Sequence, residues 1–143
     1  MYTYQVRLGH LHAHESVASC KHARIAVDAD PQGRDDAFNP AELLLAALGT
    51  CMLKNIERVA PMLKFALRGV HIALHGERQD VPPRMQRITY LVVVDTDESG
   101  QRLDLLHRNL QQFGTVYNTL AAATTIEGRI ERGPLPKRAE LDR

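Results

Sequence analysis

The chain has 143 residues, the size of one domain that buries most of the apolar surface exposed by its unfolded form. Hydrophobic residues make up 44% of the chain and charged residues 24%, which is ordinary globular usage and excludes a disordered or fibrous protein. The formal net charge of +1 gives no electrostatic reason to expect nucleic acid or an anionic membrane as a partner.

The first part of the chain predicts an antiparallel sheet of about three strands. Apolar and polar residues alternate from Tyr2 to Leu8 and again from Ala23 to Val27, as in half-buried strands. The stretch from Ala13 to Cys20 is a third, weaker candidate, and connections this short cannot house crossover helices. The N-terminal segment shows no secretory signal, so a cytoplasmic location is expected.

A loop followed by a helix start comes next. The segment from Asp30 to Phe38 is dense in Pro, Gly and Asp and predicts a loop. Asn39 then suits a helix N-cap, Pro40 the first helical position, and Glu42 the residue that bonds back to the cap.

The predicted helix runs from about Pro40 to Val59, and Pro61 should end or kink it. Its first half is apolar nearly all round, which is typical of a helix inside the fold. The apolar run from Leu43 to Leu53 is too short to cross a bilayer, which needs about 20 residues.

The second half of the chain predicts two strands, two helices, a final strand and a frayed tail. The predicted strands are Val70 to Glu77, Arg87 to Asp95 and Thr125 to Glu131. Ser99 caps a helix that ends at Gly114, and a short helix covers Val116 to Ala123. Helical spacing places Leu103, Leu106, Leu110 and Phe113 on one face of the first helix.

The segment FNPAELLLAALGTC, from Phe38 to Cys51, resembles the reactive-cysteine helix of the OsmC and organic hydroperoxide resistance (Ohr) superfamily. The order of elements over roughly residues 3–131 is similar as well. The resemblance implies an α+β, OsmC-like fold with an antiparallel sheet packed on a long central helix, in an intertwined homodimer. We therefore expect one domain over residues 1–132 and a flexible C-terminal tail over residues 133–143.

The resemblance also implies a chemistry, since family peroxidases use one cysteine to attack a hydroperoxide and a second to resolve the sulfenic acid. An Arg and a Glu activate the first thiol in those proteins. Cys51 matches the first cysteine, whereas Gly114 occupies the position of the second. The family glutamate falls on Ala41, and Glu42 follows one residue later, where it serves as a catalytic candidate or only as a cap.

In a looser alignment the family arginine falls on Ala13, between His12 and His14. Either histidine is a candidate base or cation for Cys51, and Arg34 and Arg24 compete for the role. The alternative for the His10, His12 and His14 run is a solvated face of one strand, because no further ligand completes a metal site.

The two cysteines, Cys20 and Cys51, are too few for a disulfide scaffold or a CxxC motif. Cys20 either resolves an oxidised Cys51 or is an unpaired strand cysteine. Cys51 itself is either a reactive thiol or a small hydrophobe packed in the core.

Three functional hypotheses follow. In the first, Cys51 reduces an organic hydroperoxide and an external thiol is the reductant. In the second, the dimer binds a small lipophilic molecule in its pocket without catalysis. In the third, the dimer is purely structural. None of them requires a cofactor, a metal, nucleic acid or a membrane.

Overall fold

The computed structural model describes residues 1–12 and 15–141. The chain divides into two compact units, Met1–Leu44 and Leu45–Arg143. The strands are β1 Arg7–His12, β2 Glu15–Cys20, β3 Ala23–Val27, β4 Gly69–Gln79, β5 Arg84–Asp95 and β6 Thr125–Arg132. The helices are α1 Pro40–Met62, α2 Gly100–Phe113, α3 Thr115–Ala121 and α4 Arg138–Leu141.

The first unit contains the predicted antiparallel sheet, in the order β1-β2-β3. Pairing begins at Arg7, which lies opposite Ser19, and not at Tyr2 as the alternation predicted. The reason is the length of β2: Val6 would lie opposite Cys20, the last residue of β2, and the residues before Val6 would lie opposite the turn that follows.

The predicted loop after β3 is organised by the buried carboxylate of Asp28. Its oxygens accept hydrogen bonds from the backbone N–H groups of Asp30 at 3.0 Å and Arg34 at 2.9 Å. The backbone N–H of Asp28 donates to the carbonyl of Phe38 at 2.9 Å. These bonds close the loop and bring the chain back to the start of α1.

Helix α1 begins with the predicted capping box and ends one turn later than predicted. Its C-terminus forms a Schellman motif: Phe65 N–H donates to the Ala60 carbonyl at 2.8 Å, and Lys64 N–H donates to the Pro61 carbonyl at 3.1 Å. Lys64 takes the left-handed conformation there, with φ of 49°. Pro61 lies inside the last turn, so the helix stops almost as soon as the proline enters it.

The second unit contains a mixed sheet in the order β4-β5-β6. Strands β4 and β5 are antiparallel, but β6 runs parallel to β5, which corrects the prediction of an antiparallel sheet. Parallel neighbours need a crossover connection, and α2 and α3 supply it between β5 and β6.

The core of the second unit lies between this sheet and the helices. Its largest fully buried side chains are Leu48, Met52, Ile56, Ile88, Leu106, Leu110, Val92 and Val94. The first half of α1, predicted to lie inside the fold, is only partly buried in the single chain, because Leu43 to Leu45 are half-buried and Ala47 is exposed. Phe113, predicted for the buried face of α2, is 54% exposed because the helix ends there and the chain turns at Gly114.

The tail contains a short helix, α4, that the sequence did not predict. Lys137 N–H donates to the Glu140 carboxylate at 3.0 Å at the start of this helix. Just before it, Leu135 packs against Gly69 at the start of β4, where a larger residue would collide with the leucine. Across residues 1–12 and 15–141, no helix is both long and apolar enough to span a membrane.

Candidate functional site

The candidate site centres on Cys51, about three turns into α1. The thiol is half-buried, and both cysteines of the chain are free. Gly114, between α2 and α3, lies directly against it: a Cβ atom at this position would be 3.4 Å from Cys51 Sγ. Gly114 has φ of −81°, which any residue can adopt. Position 114 thus faces Cys51, as the family alignment implied.

Two buried tyrosines, Tyr90 and Tyr117, and the half-buried His107 and Gln111 form a polar cluster, here called the Tyr90 cluster, on the core side of the sheet. The Tyr90 hydroxyl is 2.6 Å from His107 Nε2 and accepts a hydrogen bond from Gln111 Nε2 at 3.2 Å. The two rings meet edge to face, with centroids 5.7 Å apart.

Burial sets the protonation of this cluster. It raises the pKa of Tyr90 to about 12, and the neighbouring Tyr117 adds to the rise. It lowers the pKa of His107, against a smaller opposing effect of Asp104 one turn earlier on α2. At neutral pH the cluster consequently joins a protonated phenol to a neutral imidazole.

The Tyr90 cluster flanks the turn that faces Cys51. Gln111 lies three residues before Gly114 and Tyr117 three residues after it. A Cβ at position 114 would be 3.0 Å from Tyr117 Cβ, so the turn packs tightly on that side as well. Both sides of the turn are thereby tied to Tyr90 on β5. Sequence analysis missed the cluster, although His107 and Gln111 recur at the i, i+4 spacing of one helix face.

Gly128 on β6 makes room for the Tyr90 ring. It is the parallel-sheet partner of Tyr90, and a Cβ there would lie 2.5 Å from three ring carbons. The Tyr90 ring therefore lies over β6 at Gly128, because any side chain there would collide with the ring.

Past Cys51, the same helix carries Lys54, Asn55 and Arg58. Asn55 is buried; its Nδ2 donates to the Asn109 carbonyl of α2 at 3.0 Å. An Arg58 guanidinium nitrogen donates to Asn55 Oδ1 at 2.7 Å, so the arginine side chain folds back toward Cys51. Lys54 is exposed.

Glu42 is bound in the capping box of α1. Its carboxylate accepts from Asn39 N–H at 2.8 Å, and Asn39 Oδ1 accepts from Glu42 N–H at 2.9 Å. The capping interpretation is confirmed. A catalytic role for Glu42 stays a prediction.

The predicted cations of the first unit have polar partners of their own. Arg34 donates to Asp36 through Nε at 2.8 Å and a terminal nitrogen at 2.9 Å, which raises the pKa of Arg34 and lowers the pKa of Asp36. His12 Nε2 lies 2.6 Å from the Glu15 carboxylate. Arg24 is exposed on β3. Their role toward the thiol stays a prediction.

The histidine run is only partly described. His10 Nδ1 bonds Ser16 Oγ at 2.7 Å, and a bulge between His10 and His12 interrupts the strict alternation that a common face requires. His14 and Ala13 lie outside the described residues. Within the described ranges, no three His, Cys, Asp or Glu side chains are grouped to hold a metal ion.

Two open surface clefts lie elsewhere. One, of about 320 Å³, is on the β1-β2-β3 sheet and is lined in part by Arg7, Val17 and Arg24. The other, of about 300 Å³, is near the C-terminus of α1 and includes Phe65. Cys51 lines neither cleft. The candidate site is therefore defined by the 3.4 Å distance between Cys51 Sγ and a Cβ at position 114.

Comparison with family profiles bears directly on this site. The profile described as OsmC-like protein matches residues 33–128. The chain belongs to the OsmC family. The matched range includes Cys51, Gly114 and the whole Tyr90 cluster. Comparison with curated protein sequences gave no match.

Solved structures show the same OsmC fold at low sequence identity. An OsmC-like protein from Mycoplasma pneumoniae has a TM-score of 0.84 at 17% identity, covering 93% of this chain and 99% of that one. An organic hydroperoxide resistance protein OsmC from Legionella pneumophila has a TM-score of 0.72 at 14% identity, with coverages of 92% and 98%. OhrB of Bacillus subtilis has a TM-score of 0.67 at 12% identity, with coverages of 91% and 98%.

Proposed function

We propose that this OsmC-family chain reduces organic hydroperoxides through Cys51 in a one-cysteine cycle. The observation that carries the proposal is the 3.4 Å approach of position 114 to Cys51 Sγ. It supports the family alignment of both positions, and it puts a residue without a side chain where the second family cysteine would stand. The proposed cycle therefore keeps the first half of the family chemistry and lacks an internal resolving thiol at that position.

The proposed reaction begins when the Cys51 thiolate attacks the outer peroxide oxygen. The O–O bond breaks, the alcohol leaves with a proton, and the sulfur is oxidised to a sulfenic acid. An external thiol then displaces the hydroxyl as water, because a sulfenic acid that is not resolved is open to irreversible oxidation. His12, His14 and Arg34 remain the proposed groups for activating the thiol.

We also propose that the protein acts as a homodimer, as the family resemblance implies, and that it does so in the cytoplasm, as expected from its N-terminal segment. Large hydrophobic side chains near the N-terminus support this, since Tyr2, Tyr4 and Leu8 are 88%, 86% and 70% exposed in the single chain. Exposed apolar residues in this number are typical of a surface that a partner covers. Light scattering should return about twice the 16.0 kDa mass of the chain. A mass near 16.0 kDa at micromolar concentration would exclude the dimer.

Intact-mass analysis after exposure to cumene hydroperoxide tests the reaction. We expect an oxygen adduct or a mixed disulfide on Cys51, retained in Cys20→Ser and lost in Cys51→Ser. An internal Cys20 to Cys51 disulfide would assign the resolving role to Cys20.

A second candidate function has specific support. Glu42 and Arg34, the candidates for the family's activating Glu and Arg, are already bonded to Asn39 and Asp36. This second candidate is the non-catalytic protein that binds a small lipophilic molecule. An unreactive Cys51, with hydroperoxide consumption unchanged in Cys51→Ser, would favour this candidate over the peroxidase.

A further inference from the structure

One face of the β1-β2-β3 sheet carries two arginines on either side of a serine. Arg7 lies opposite Ser19, and Ser19 lies opposite Arg24, so the three residues form one row across the strands on the same face. Neighbouring strands are about 4.8 Å apart, which places the Cα atoms of the two arginines roughly 10 Å from each other. All three residues line the surface cleft of about 320 Å³ on this sheet.

The next row on the same face is apolar. Gly9 lies opposite Val17, and Val17 lies opposite Ala26, one step of about 6.6 Å along the strands. A Cβ on Gly9 would meet nothing within 4 Å, so the backbone of β1 is uncovered there. Gly9, Val17 and Leu11 line the cleft together with the arginines. The cleft therefore has a cationic end and an apolar end.

No carboxylate of the described residues neutralises the cationic end. Neither Arg7 nor Arg24 forms a salt bridge with any residue in 1–12 or 15–141. The carboxylate on these three strands, that of Glu15, is about 13 Å from Ser19 along β2 and lies 2.6 Å from His12 Nε2. Lys21, in the turn after β2, adds a positive charge near the arginine row. An anion is thus attracted to this end of the sheet.

The arginine row is on the opposite face from the exposed apolar side chains of the sheet. Ser16, Ala18 and Val27 occupy that opposite face and are buried. Leu8 and Ile25 lie there too, on either side of Ala18, and are 70% and 51% exposed. A partner subunit that covers the apolar face would leave the cleft open to solvent.

We propose that this cleft binds a small amphipathic anion, an acidic head group on an apolar chain. The head group accepts hydrogen bonds from the guanidinium groups of Arg7 and Arg24 and from the Ser19 hydroxyl. The apolar chain lies over Gly9 and Val17. Arginine suits this role because its planar fork donates two parallel hydrogen bonds to a carboxylate or a phosphate. The proposal is independent of the chemistry of Cys51.

Calorimetric titration of the full chain at low ionic strength tests the proposal. Octanoate and octyl phosphate carry both parts of the ligand, whereas acetate carries only a head group and 1-octanol only a chain. All probes are kept below their micelle concentrations. We expect octanoate to bind about tenfold more tightly than acetate or 1-octanol, because each of those lacks one of the two sets of contacts. The tighter of octanoate and octyl phosphate identifies the head group.

Substitutions in the cleft separate the two ends of the site. Arg7→Gln and Arg24→Gln should each weaken octanoate binding about fivefold, and the double variant should reduce it to the level of 1-octanol. Arg7→Lys keeps the charge but loses the fork, so it should recover only part of the affinity. Gly9→Leu fills the apolar end and keeps both arginines, and it should reduce octanoate binding to the level of acetate. Arg84→Gln, at an exposed arginine of β5, is the matched control and should leave binding unchanged.

Octanoate binding that survives in the Arg7 and Arg24 double variant would overturn the proposal. Octanoate that binds no more tightly than 1-octanol or acetate would overturn it as well. Binding to vesicles of anionic lipid without binding of octanoate would replace the proposed site with a membrane-binding surface. None of these measurements uses a hydroperoxide, so their outcome and that of the peroxidase test are distinguishable.

Discussion

At the scale of single residues, the pairing of Cys51 with Gly114 determines which chemistry the chain supports. A half-buried thiol faces a backbone position that lacks a side chain, and a Cβ added at that position would lie 3.4 Å from the sulfur. In the proposed cycle, a glycine at this position leaves the resolving step to an external thiol.

Gly114→Cys should restore an internal disulfide with Cys51. In a disulfide the Cβ of one cysteine lies about 3 Å from the sulfur of the other, close to the 3.4 Å available here. In a Cys20→Ser background, mild oxidation should remove two hydrogen atoms from the intact mass, and peptide mapping should identify the bridge. Gly100→Cys, in open space at the far end of α2, is the control and should stay reduced. Failure of Gly114→Cys to bridge would mean that the two positions do not approach in solution.

Glu42→Gln separates the capping role of this residue from a catalytic one. Glutamine preserves the capping bond to Asn39 N–H, so the free energy of unfolding should change little, whereas Asn39→Ala should lose about 1 kcal/mol. If Glu42 only caps, the rate of Cys51 alkylation by iodoacetamide should match that of the wild type and of Glu57→Gln. A clear slowing in Glu42→Gln alone would give its carboxylate a role at the thiol.

At the scale of elements, the Tyr90 cluster joins β5 to α2 and to the turn before α3. One tyrosine hydroxyl contacts His107 and Gln111 on α2, and its ring lies over Gly128 on β6. The bonds to His107 and Gln111 hold the end of α2, the segment that leads into Gly114.

Gly128→Ala should disrupt this arrangement. The new methyl carbon would lie 2.5 Å from the Tyr90 ring, so the ring must shift and weaken its bond to His107. We expect a loss of about 1–3 kcal/mol in the free energy of unfolding, measured by urea denaturation. Gly9→Ala, where a Cβ meets nothing within 4 Å, is the control and should cost much less. Equal losses in the two variants would refute the close packing at Gly128.

Local sequence patterns predicted β2, β3, the loop after β3 and the cap of α1, since these depend on neighbouring residues, but they placed the first strand too early in the chain. The parallel pairing of β6 was not predictable in this way, because alternation gives a strand but not the direction of its partner. The Tyr90 cluster was missed for a related reason: Tyr90, His107 and Gly128 meet only after the crossover folds.

At the scale of the whole molecule, burial of His107 makes stability depend on pH. Burial lowers the pKa of His107 in the folded chain, while an unfolded histidine has a pKa of about 6.5. As the pH falls below about 6.5, the unfolded chain binds a proton that the folded chain resists. This part of the free energy of unfolding is therefore fully present above that pH, and it is lost as the pH falls toward the lower pKa of the folded state.

His107→Gln should reduce the difference in unfolding free energy between about pH 7.5 and pH 5.5, because glutamine does not titrate. Urea denaturation at both pH values measures the difference. His75→Gln, which removes an exposed histidine on β4, is the matched control and should keep the wild-type dependence. The same pH dependence in His107→Gln and in the wild type would show that His107 is not the group responsible.

The sequence by itself determined the class of the fold, the capped helix that carries Cys51, and the family, because these follow from local periodicity and a contiguous motif. Only the tertiary structure decided that Gly114 lies against Cys51 Sγ and that Asn55 joins α1 to the Asn109 carbonyl of α2. It also decided which partners hold Glu42 and Arg34. The physical reason is that side-chain partners are chosen by distance in space. Residues far apart in sequence, such as positions 51 and 114, become neighbours only when helices and strands pack.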